Sequence, residues 1–220
     1  MLGTKGLASE LDAPLDVFQP GLRRGAAKLA FAPHKRYFYV EHPVEGWRVY
    51  LRAATFIHMA GETFDEQKFL VVKRTGGDPA KATWEPPKGQ MEGKDTQARK
   101  TVYQLLLENV RREVEEEAKV HTLQWVHHTG LIFQSREKDY PPNHYFQYHV
   151  FQAYVLPHDL YEAVKEFDWI AQHPDAFARY KKDKREKDAL SWYDPRHTKL
   201  MGRWSPTIVA MYLQKFRAAY

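Results

Sequence analysis

The sequence has 220 residues and contains no cysteine. This absence excludes disulfide bonds and zinc sites built from thiolates, and it is typical of a protein in a reducing compartment. The chain also lacks an apolar run of about 18 residues, the length that a membrane-spanning helix needs. Residues 1–13 lack the charged-then-apolar order of a secretory signal peptide. We therefore predict an intracellular protein, most simply cytoplasmic, with no membrane partner.

A mitochondrial location is the alternative, because residues 21–28 are basic and small, as in a presequence. Acidic residues at Glu10, Asp12 and Asp16 argue against it. Charged residues of both signs are frequent: the chain has 33 Lys and Arg and 28 Asp and Glu, which give a net charge of +5. Such an excess favours polyanionic partners only mildly. The eleven histidines include no His-Glu-x-x-His spacing, which excludes that type of zinc hydrolase.

The pattern of apolar residues predicts two regions. Residues 1–35 contain proline and glycine with little periodicity, which indicates an extended N-terminal arm. Residues 36–220 combine alternating, strand-like segments with a helix predicted over residues 96–119 and a closing helix at residues 205–219. Mixed strands with one central and one closing helix predict an α/β fold, an α/β/α sandwich around a mixed β-sheet.

The central helix carries an unusual group of acids within Arg112-Glu113-Val114-Glu115-Glu116-Glu117. At about 100° per residue, Glu113, Glu116 and Glu117 lie within one arc, while Glu115 points nearly the opposite way. Three carboxylates on one face repel each other unless a cation lies among them, and oxygen ligands suit Mg²⁺ or Mn²⁺. A solvated acidic face is the alternative. The loop Pro86-Pro87-Lys88-Gly89, just before the helix, favours a metal site.

This stretch resembles the Nudix box, whose pattern is G-x5-E-x7-R-E-U-x-E-E-x-G-U, where U is a bulky aliphatic residue. The matching positions are Gly89, Asp95 in place of the first Glu, Arg112, Glu113, Val114, Glu116, Glu117 and Val120. There are two departures. Sixteen residues (96–111) separate Asp95 from Arg112, where the family has seven, and Lys119 replaces the second Gly. The inserted residues contain no proline or glycine, so we predict that they extend the helix.

The resemblance implies an α/β/α Nudix sandwich that hydrolyses a nucleoside diphosphate linked to another group, with Mg²⁺ or Mn²⁺ as cofactor. It implies Glu116 and Glu117 as metal ligands, Glu113 as a third ligand or the general base, and the Gly89 carbonyl as a further ligand. Arg112 would orient the acids, paired with Asp95 or, because of the insertion, with Glu108. For the additional acid that many members bring from a distant loop, we predict Glu186, with Asp188 and Glu166 as rivals.

Four residues are predicted to contact substrate. Lys88 would hold an outer phosphate, Lys73 and Arg74 end a strand expected to run toward the site, and Glu85 would bind metal or a base. The Pro-Lys-Gly loop is similar to that of diadenosine tetraphosphate hydrolases and of mRNA-decapping members. The substrate is therefore predicted to be a dinucleoside polyphosphate or capped RNA, with RNA also contacting residues 179–187.

A protein of a different class is the alternative: a non-catalytic Nudix-fold subunit that binds RNA or serves as a structural part of a ribonucleoprotein assembly. Such proteins usually lose the carboxylates of the box. The retention of Glu113, Glu116 and Glu117 here favours an enzyme.

Overall fold

The computed structural model describes residues 13–30, 32–96 and 99–217. The strands are β1 (Arg23–Leu29), β2 (Ala32–Glu41), β3 (Arg48–Met59), β4 (Leu70–Arg74), β5 (Trp84–Glu85), β6 (Lys88–Gln90), β7 (Gln124–Ser135), β8 (His144–Val155) and β9 (Lys187–Trp192). The helices are α1 (Val102–Ala118), α2 (Pro157–Gln172), α3 (Pro174–Phe177) and α4 (Ser205–Arg217). Short 3-10 turns occupy Gly93–Asp95 and Lys182–Arg185. No helix in the described part of the chain has the length and apolar character needed to cross a membrane.

Two sheets form the centre of the molecule. In the larger sheet, the order is β1-β2-β3-β8-β7, and β6 also pairs with β3. The β3–β8 pair is parallel along the whole of both strands, whereas the other pairs are antiparallel, so the sheet is mixed. The smaller sheet has the order β5-β4-β9.

The alternation of β3 separates two cores on opposite faces of the sheet. Val49 and Leu51 belong to the core that contains the buried side of α1, including Val114. Tyr50 and Phe56 point the other way, and Phe56 stacks on Tyr212 of α4 with ring centroids 3.7 Å apart. The predicted α/β/α sandwich around a mixed sheet is therefore confirmed.

The sheet begins earlier than the predicted boundary at residue 36. Strand β1 lies inside the predicted arm, and β2 starts at Ala32. The strand was not recognised because its residues are small and weakly patterned; at Gly25 a Cβ would lie 2.4 Å from the Tyr39 hydroxyl, so this strand needs its small residues. Residues 1–12 of the arm lie outside the described residues. The division into an arm and a domain stays a prediction.

Residues 13–22, which include a turn at residues 17–21, pack against the larger sheet. The Leu15 N–H donates to Gln134 Oε1 at 3.0 Å, and Gln147 Nε2 donates to the Leu15 carbonyl at 2.8 Å. Val17 is 1% exposed and belongs to the α1 core. These contacts pack this part of the chain against the larger sheet.

Helix α1 begins at Val102, so the prediction of a helix from residue 96 was wrong. Thr101 is its N-cap: its side chain accepts the Gln104 N–H, and the Gln104 side chain accepts the Thr101 N–H. This capping box satisfies backbone donors that a longer helix would have used internally, and it therefore sets the start of the helix.

The end of α1 keeps the conformation that glycine provides in the family. Lys119 adopts a left-handed backbone, with φ 59° and ψ 20°. Its ammonium donates to the Glu116 carbonyl at 2.7 Å and to the Lys184 carbonyl at 2.9 Å. Both bonds offset the strain of a side chain in this region. Lysine thus replaces glycine without changing the path of the chain.

Candidate active site

A cavity of about 150 Å³ lies between β6, the C-terminal half of α1 and the turn at Lys182–Arg185. Acidic side chains dominate its wall. The predicted site residues that line it are Lys88, Gly89, Arg112, Glu113, Glu116, Glu117 and Glu186. The structure therefore brings residues from three separate parts of the chain to one place.

The packing of α1 explains why its acids face this cavity. Val114 and Ala118 are fully buried against the sheet and set the rotation of the helix. Glu113 and Glu117 then point toward the β6 loop, as the helical spacing predicts. The Glu115 side chain is 55% exposed, on the outer face of the helix.

Gly89 and Glu113 are in direct contact. A Cβ added at residue 89 would lie 1.9 Å from the carboxylate carbon of Glu113, so only glycine leaves room for this acid. Burial raises the pKa of Glu113 to about 8, and the nearby Arg112 guanidinium only partly offsets that effect. Burial therefore disfavours the ionised form of the Glu113 carboxyl, and a neighbouring cation favours it.

Arg112 organises the acids despite the insertion. Its Nη1 lies 2.9 Å from Glu113 Oε1 and 3.5 Å from Glu116 Oε2, and its Nη2 lies 3.7 Å from Asp95 Oδ2. The inserted residues thus do not separate Asp95 from Arg112. The alternative partner Glu108 was a wrong expectation, since it pairs with Lys100 at 2.6 Å.

Glu117 belongs to a buried network of four alternating charges. Its Oε1 lies 3.0 Å from the Lys187 ammonium, and its Oε2 accepts the Lys88 N–H at 2.9 Å. Lys187 also donates to Glu85 Oε1, and Glu85 Oε2 lies 2.8 Å from the Lys88 ammonium. Lys187 is 4% exposed. Sequence reasoning missed this role because Lys187 ends a run of surface cations; the adjoining strand, Ala189-Leu190, was the only signal that it could face inward.

Glu85 lies behind the cavity. It is 2% exposed, and its partners are Lys88, Lys187 and the Ser205 hydroxyl at 3.2 Å. Glu85 is not among the described residues that line the cavity. Its predicted contact with substrate is therefore not present in this arrangement. The opposing charges of Lys88 and Lys187 lower the pKa of Glu85 despite its burial, so it is ionised.

The end of β4 does not reach the site. Lys73 donates to the Gly77 carbonyl at 2.9 Å and pairs with Asp188 at 2.6 Å, and neither Lys73 nor Arg74 lines the cavity in the described part of the chain. Instead, β4 ends against β9 and the turn that precedes it, so the predicted contact of Lys73 and Arg74 with substrate has no support in this arrangement and stays a prediction.

Of the three distant acids considered, only Glu186 is at the cavity. Asp188 pairs with Lys73, and Glu166 Oε2 lies 3.9 Å from His121 Nε2.

A further cation at the cavity, Lys35, was missed because it falls in the predicted arm. Its ammonium lies 3.3 Å from Glu92 and 3.2 Å from Asp183, which also line the cavity.

The donor set fits a divalent cation of the Mg²⁺ type. Three carboxylates and the Gly89 backbone offer only oxygen ligands, as Mg²⁺ and Mn²⁺ prefer. Among residues 13–30, 32–96 and 99–217, no three acidic or histidine side chains are already gathered around one point. Arg112 holds Glu113 and Glu116, and Lys187 holds Glu117. A carboxylate has about four acceptor positions, so each acid keeps lone pairs for a metal.

No protein-family model matches the chain, and no curated protein sequence matches it significantly. Solved structures similar to it include a NUDIX hydrolase from Nitrosomonas europaea, with a TM-score of 0.44 and 15% identity over 77% of this chain and 89% of that one. A binary complex of a C. elegans Ap4A hydrolase has a TM-score of 0.38 and 14% identity over 78% and 98% of the two chains. A mutT/nudix family protein from Listeria innocua has a TM-score of 0.40 and 16% identity over 77% and 93%. TM-scores below 0.5 at such identities carry no inference about activity, which depends on the residues of the site.

Proposed function

We propose that this chain is a Nudix-type pyrophosphohydrolase that depends on Mg²⁺ or Mn²⁺ and cleaves a nucleoside polyphosphate. One observation carries the proposal: Glu113, Glu116 and Glu117 line the same cavity as Gly89 and Arg112. A plain acidic helix face would be open to water, whereas the side chains of these acids are 6–25% exposed and Arg112 holds two of them. The match between this geometry and the spacing of the box supports the family assignment.

The residues would divide the work as follows. Glu113, Glu116, Glu117 and the Gly89 carbonyl would hold the divalent ion, which neutralises the charge of a diphosphate and of its leaving group. A cation beside Glu113 favours its ionised form, and this form is the one that can accept a proton from water. Arg112 would keep the acids oriented before the ion arrives.

Two features support a nucleotide with several phosphates as substrate. Lys35 and Lys88 line the same cavity as the acids, so cations are present where outer phosphates would lie. Tyr37 also lines it, so an aromatic residue is present beside the place where a nucleotide would lie. A dinucleoside polyphosphate is the first candidate.

Capped RNA is the second candidate, and the position of the basic run favours it. The segment at residues 179–187 carries five exposed cations in addition to the buried Lys187. Asp183 and Glu186 of the same segment line the cavity. An RNA chain that leaves the cavity along this edge would meet these cations.

The first experiment compares the wild-type chain with the double variant Glu116→Gln, Glu117→Gln. Each protein is incubated with Mn²⁺ and either diadenosine tetraphosphate or cap-labelled RNA, and the products are identified by mass spectrometry. The variant is expected to lose more than about 100-fold of the activity, since it removes two metal ligands rather than their supporting partners. Glu115→Gln is the matched control, because Glu115 lies on the exposed face of the same helix.

The outcome selects between the substrates. Cleavage of the dinucleotide alone would make the chain a small-molecule hydrolase. Release of the cap nucleoside diphosphate would establish RNA as a substrate. Turnover of neither substrate, together with retained RNA binding, would contradict the proposal and favour the non-catalytic alternative.

A further inference from the structure

Lys187 has no role in the family pattern described above, yet it is 4% exposed and its ammonium contacts the carboxylate of Glu117, an acid of the box. We propose that Lys187 is a positioning residue, whose ammonium holds the Glu117 carboxylate in the orientation needed to bind a divalent cation. The inference rests on the proposed function, because it assigns Glu117 to the metal.

The local structure of β9 turns this lysine inward. In the β4–β9 pair, Lys73 faces Ala189, but Arg74 faces Lys187, so Asp188 is an extra residue without a partner across the ladder. A bulge of this kind redirects the neighbouring side chains. The Asp188 side chain pairs with Lys73 and accepts a hydrogen bond from the Gly76 N–H. The Lys187 side chain points inward and reaches Glu85 and Glu117.

Both oxygens of Glu117 are held by protein donors. Lys187 contacts Oε1 at 3.0 Å, and the Lys88 N–H donates to Oε2 at 2.9 Å. Lys88 directly precedes Gly89, so the carboxylate is fixed relative to the backbone carbonyl that would share the ion. Without Lys187, only one hydrogen bond would orient the acid, and its side-chain torsions would be freer to rotate.

A second reading is that Lys187 only balances the charge of Glu85. The same ammonium contacts both Glu85 and Glu117, and two buried carboxylates cannot remain ionised side by side without a cation. The single variant Lys187→Met would disturb both contacts and could not separate the two roles. The double variant Glu85→Gln, Lys187→Met can, because it removes one charge of each sign and keeps Glu117 and Lys88.

Mn²⁺ affinity of the full chain, measured by the electron paramagnetic resonance of the free ion, tests the proposal without requiring turnover. The double variant is expected to keep a Tm close to that of the wild type, because the net charge of the cluster is unchanged. It is expected to bind Mn²⁺ about tenfold more weakly, the usual cost of losing a residue that orients a metal ligand. Lys165→Met, an exposed lysine on α2, is the matched control.

Wild-type Mn²⁺ affinity in a folded double variant would overturn the proposal and leave Lys187 as a counterion of Glu85. Wild-type hydrolysis would then still support the proposed function. A wild-type chain that neither binds Mn²⁺ nor hydrolyses a nucleotide would overturn both. If that double variant does not fold, Glu85→Gln, Lys187→Leu is measured instead, and an affinity equal to or above that of the wild type overturns the proposal.

Discussion

At the scale of single residues, Gly89 and Glu113 constrain each other. The glycine lies opposite Ala53 in the β3–β6 ladder, and the Glu113 carboxylate occupies the volume that any side chain at residue 89 would need. The match of Gly89 to the sequence motif therefore has a steric cause in this structure. The cause is the close approach of a helix to a strand.

Gly89→Ala is expected to lower the free energy of unfolding by about 1–3 kcal/mol, as overpacking usually does. It should also displace Glu113 and reduce hydrolysis at least tenfold, because small misplacements of reacting groups are costly. Thermal unfolding and kcat measure the two effects. In the double variant Gly89→Ala, Glu113→Ala, stability should recover and activity should not. A double variant as unstable as Gly89→Ala would show that the overlap is not the cause.

At the scale of elements, the end of α1 is joined to the turn at Lys182–Arg185 by the Lys119 side chain. Lys119 is 4% exposed, and its two hydrogen bonds reach carbonyls of both elements. Burial lowers the pKa of the Lys119 ammonium, because a charged group is more stable in water. The two hydrogen bonds offset part of the cost of burying this charge. The contact fixes the distance between the acids of the helix and the segment that carries Glu186.

Lys119→Gly tests which of two opposing effects dominates. Glycine would remove a backbone strain of about 1 kcal/mol, but it would also remove hydrogen bonds from a charged donor worth about 1.5–3 kcal/mol each. The loss of lysine also frees side-chain entropy of about 2 kcal/mol. We therefore expect a net loss of stability of about 0–3 kcal/mol, measured by urea unfolding. A more stable variant would mean that backbone strain outweighs the two bonds.

At the scale of the whole molecule, the segment at residues 13–22 packs over a buried histidine of the larger sheet. The Phe18 ring lies 5.4 Å from the His149 ring, and His128 Nε2 lies 3.0 Å from His149 Nδ1. Burial, together with the adjacent His128, lowers the pKa of His149 from 6.5 to about 3. The ring is therefore neutral in the folded state at neutral pH.

This burial predicts a loss of stability in acid. The folded pKa lies below the unfolded value, so protons bind preferentially to the unfolded chain as the pH falls from about 6.5 toward 3. At pH 5 the linkage amounts to about 2 kcal/mol. Burial raises the pKa of Glu113, so the titration of that group increases the stability of the folded state as the pH falls. The variant His149→Gln keeps this effect, and its comparison with the wild type therefore isolates the effect of His149. Between pH 7 and 5, urea unfolding should show the wild type losing about 2 kcal/mol more than the variant; equal losses would contradict the prediction.

The sequence by itself determined the features that depend on local geometry. Helical spacing was enough to place Glu113, Glu116 and Glu117 on one face and Glu115 on the other, because about 100° per residue holds in any helix. Strand alternation and the two helices were enough to predict the layered fold. The start of α1 was mistaken by six residues, because the Thr101 capping box was not weighed against the continuous helical composition of the inserted residues.

Only the tertiary structure decided which distant residues meet those acids. Lys35 lies on β2 and lines the cavity because of the place that this strand takes beside β3 in the sheet. Lys187 reaches Glu117 because a bulge at Asp188 redirects its side chain. Lys73 and Arg74 fail to reach it although their strand is close in sequence to the loop. Such contacts depend on strand register, where a shift of one residue sends a side chain to the opposite face. Register is set by packing across the whole sheet, and no short stretch of sequence contains it.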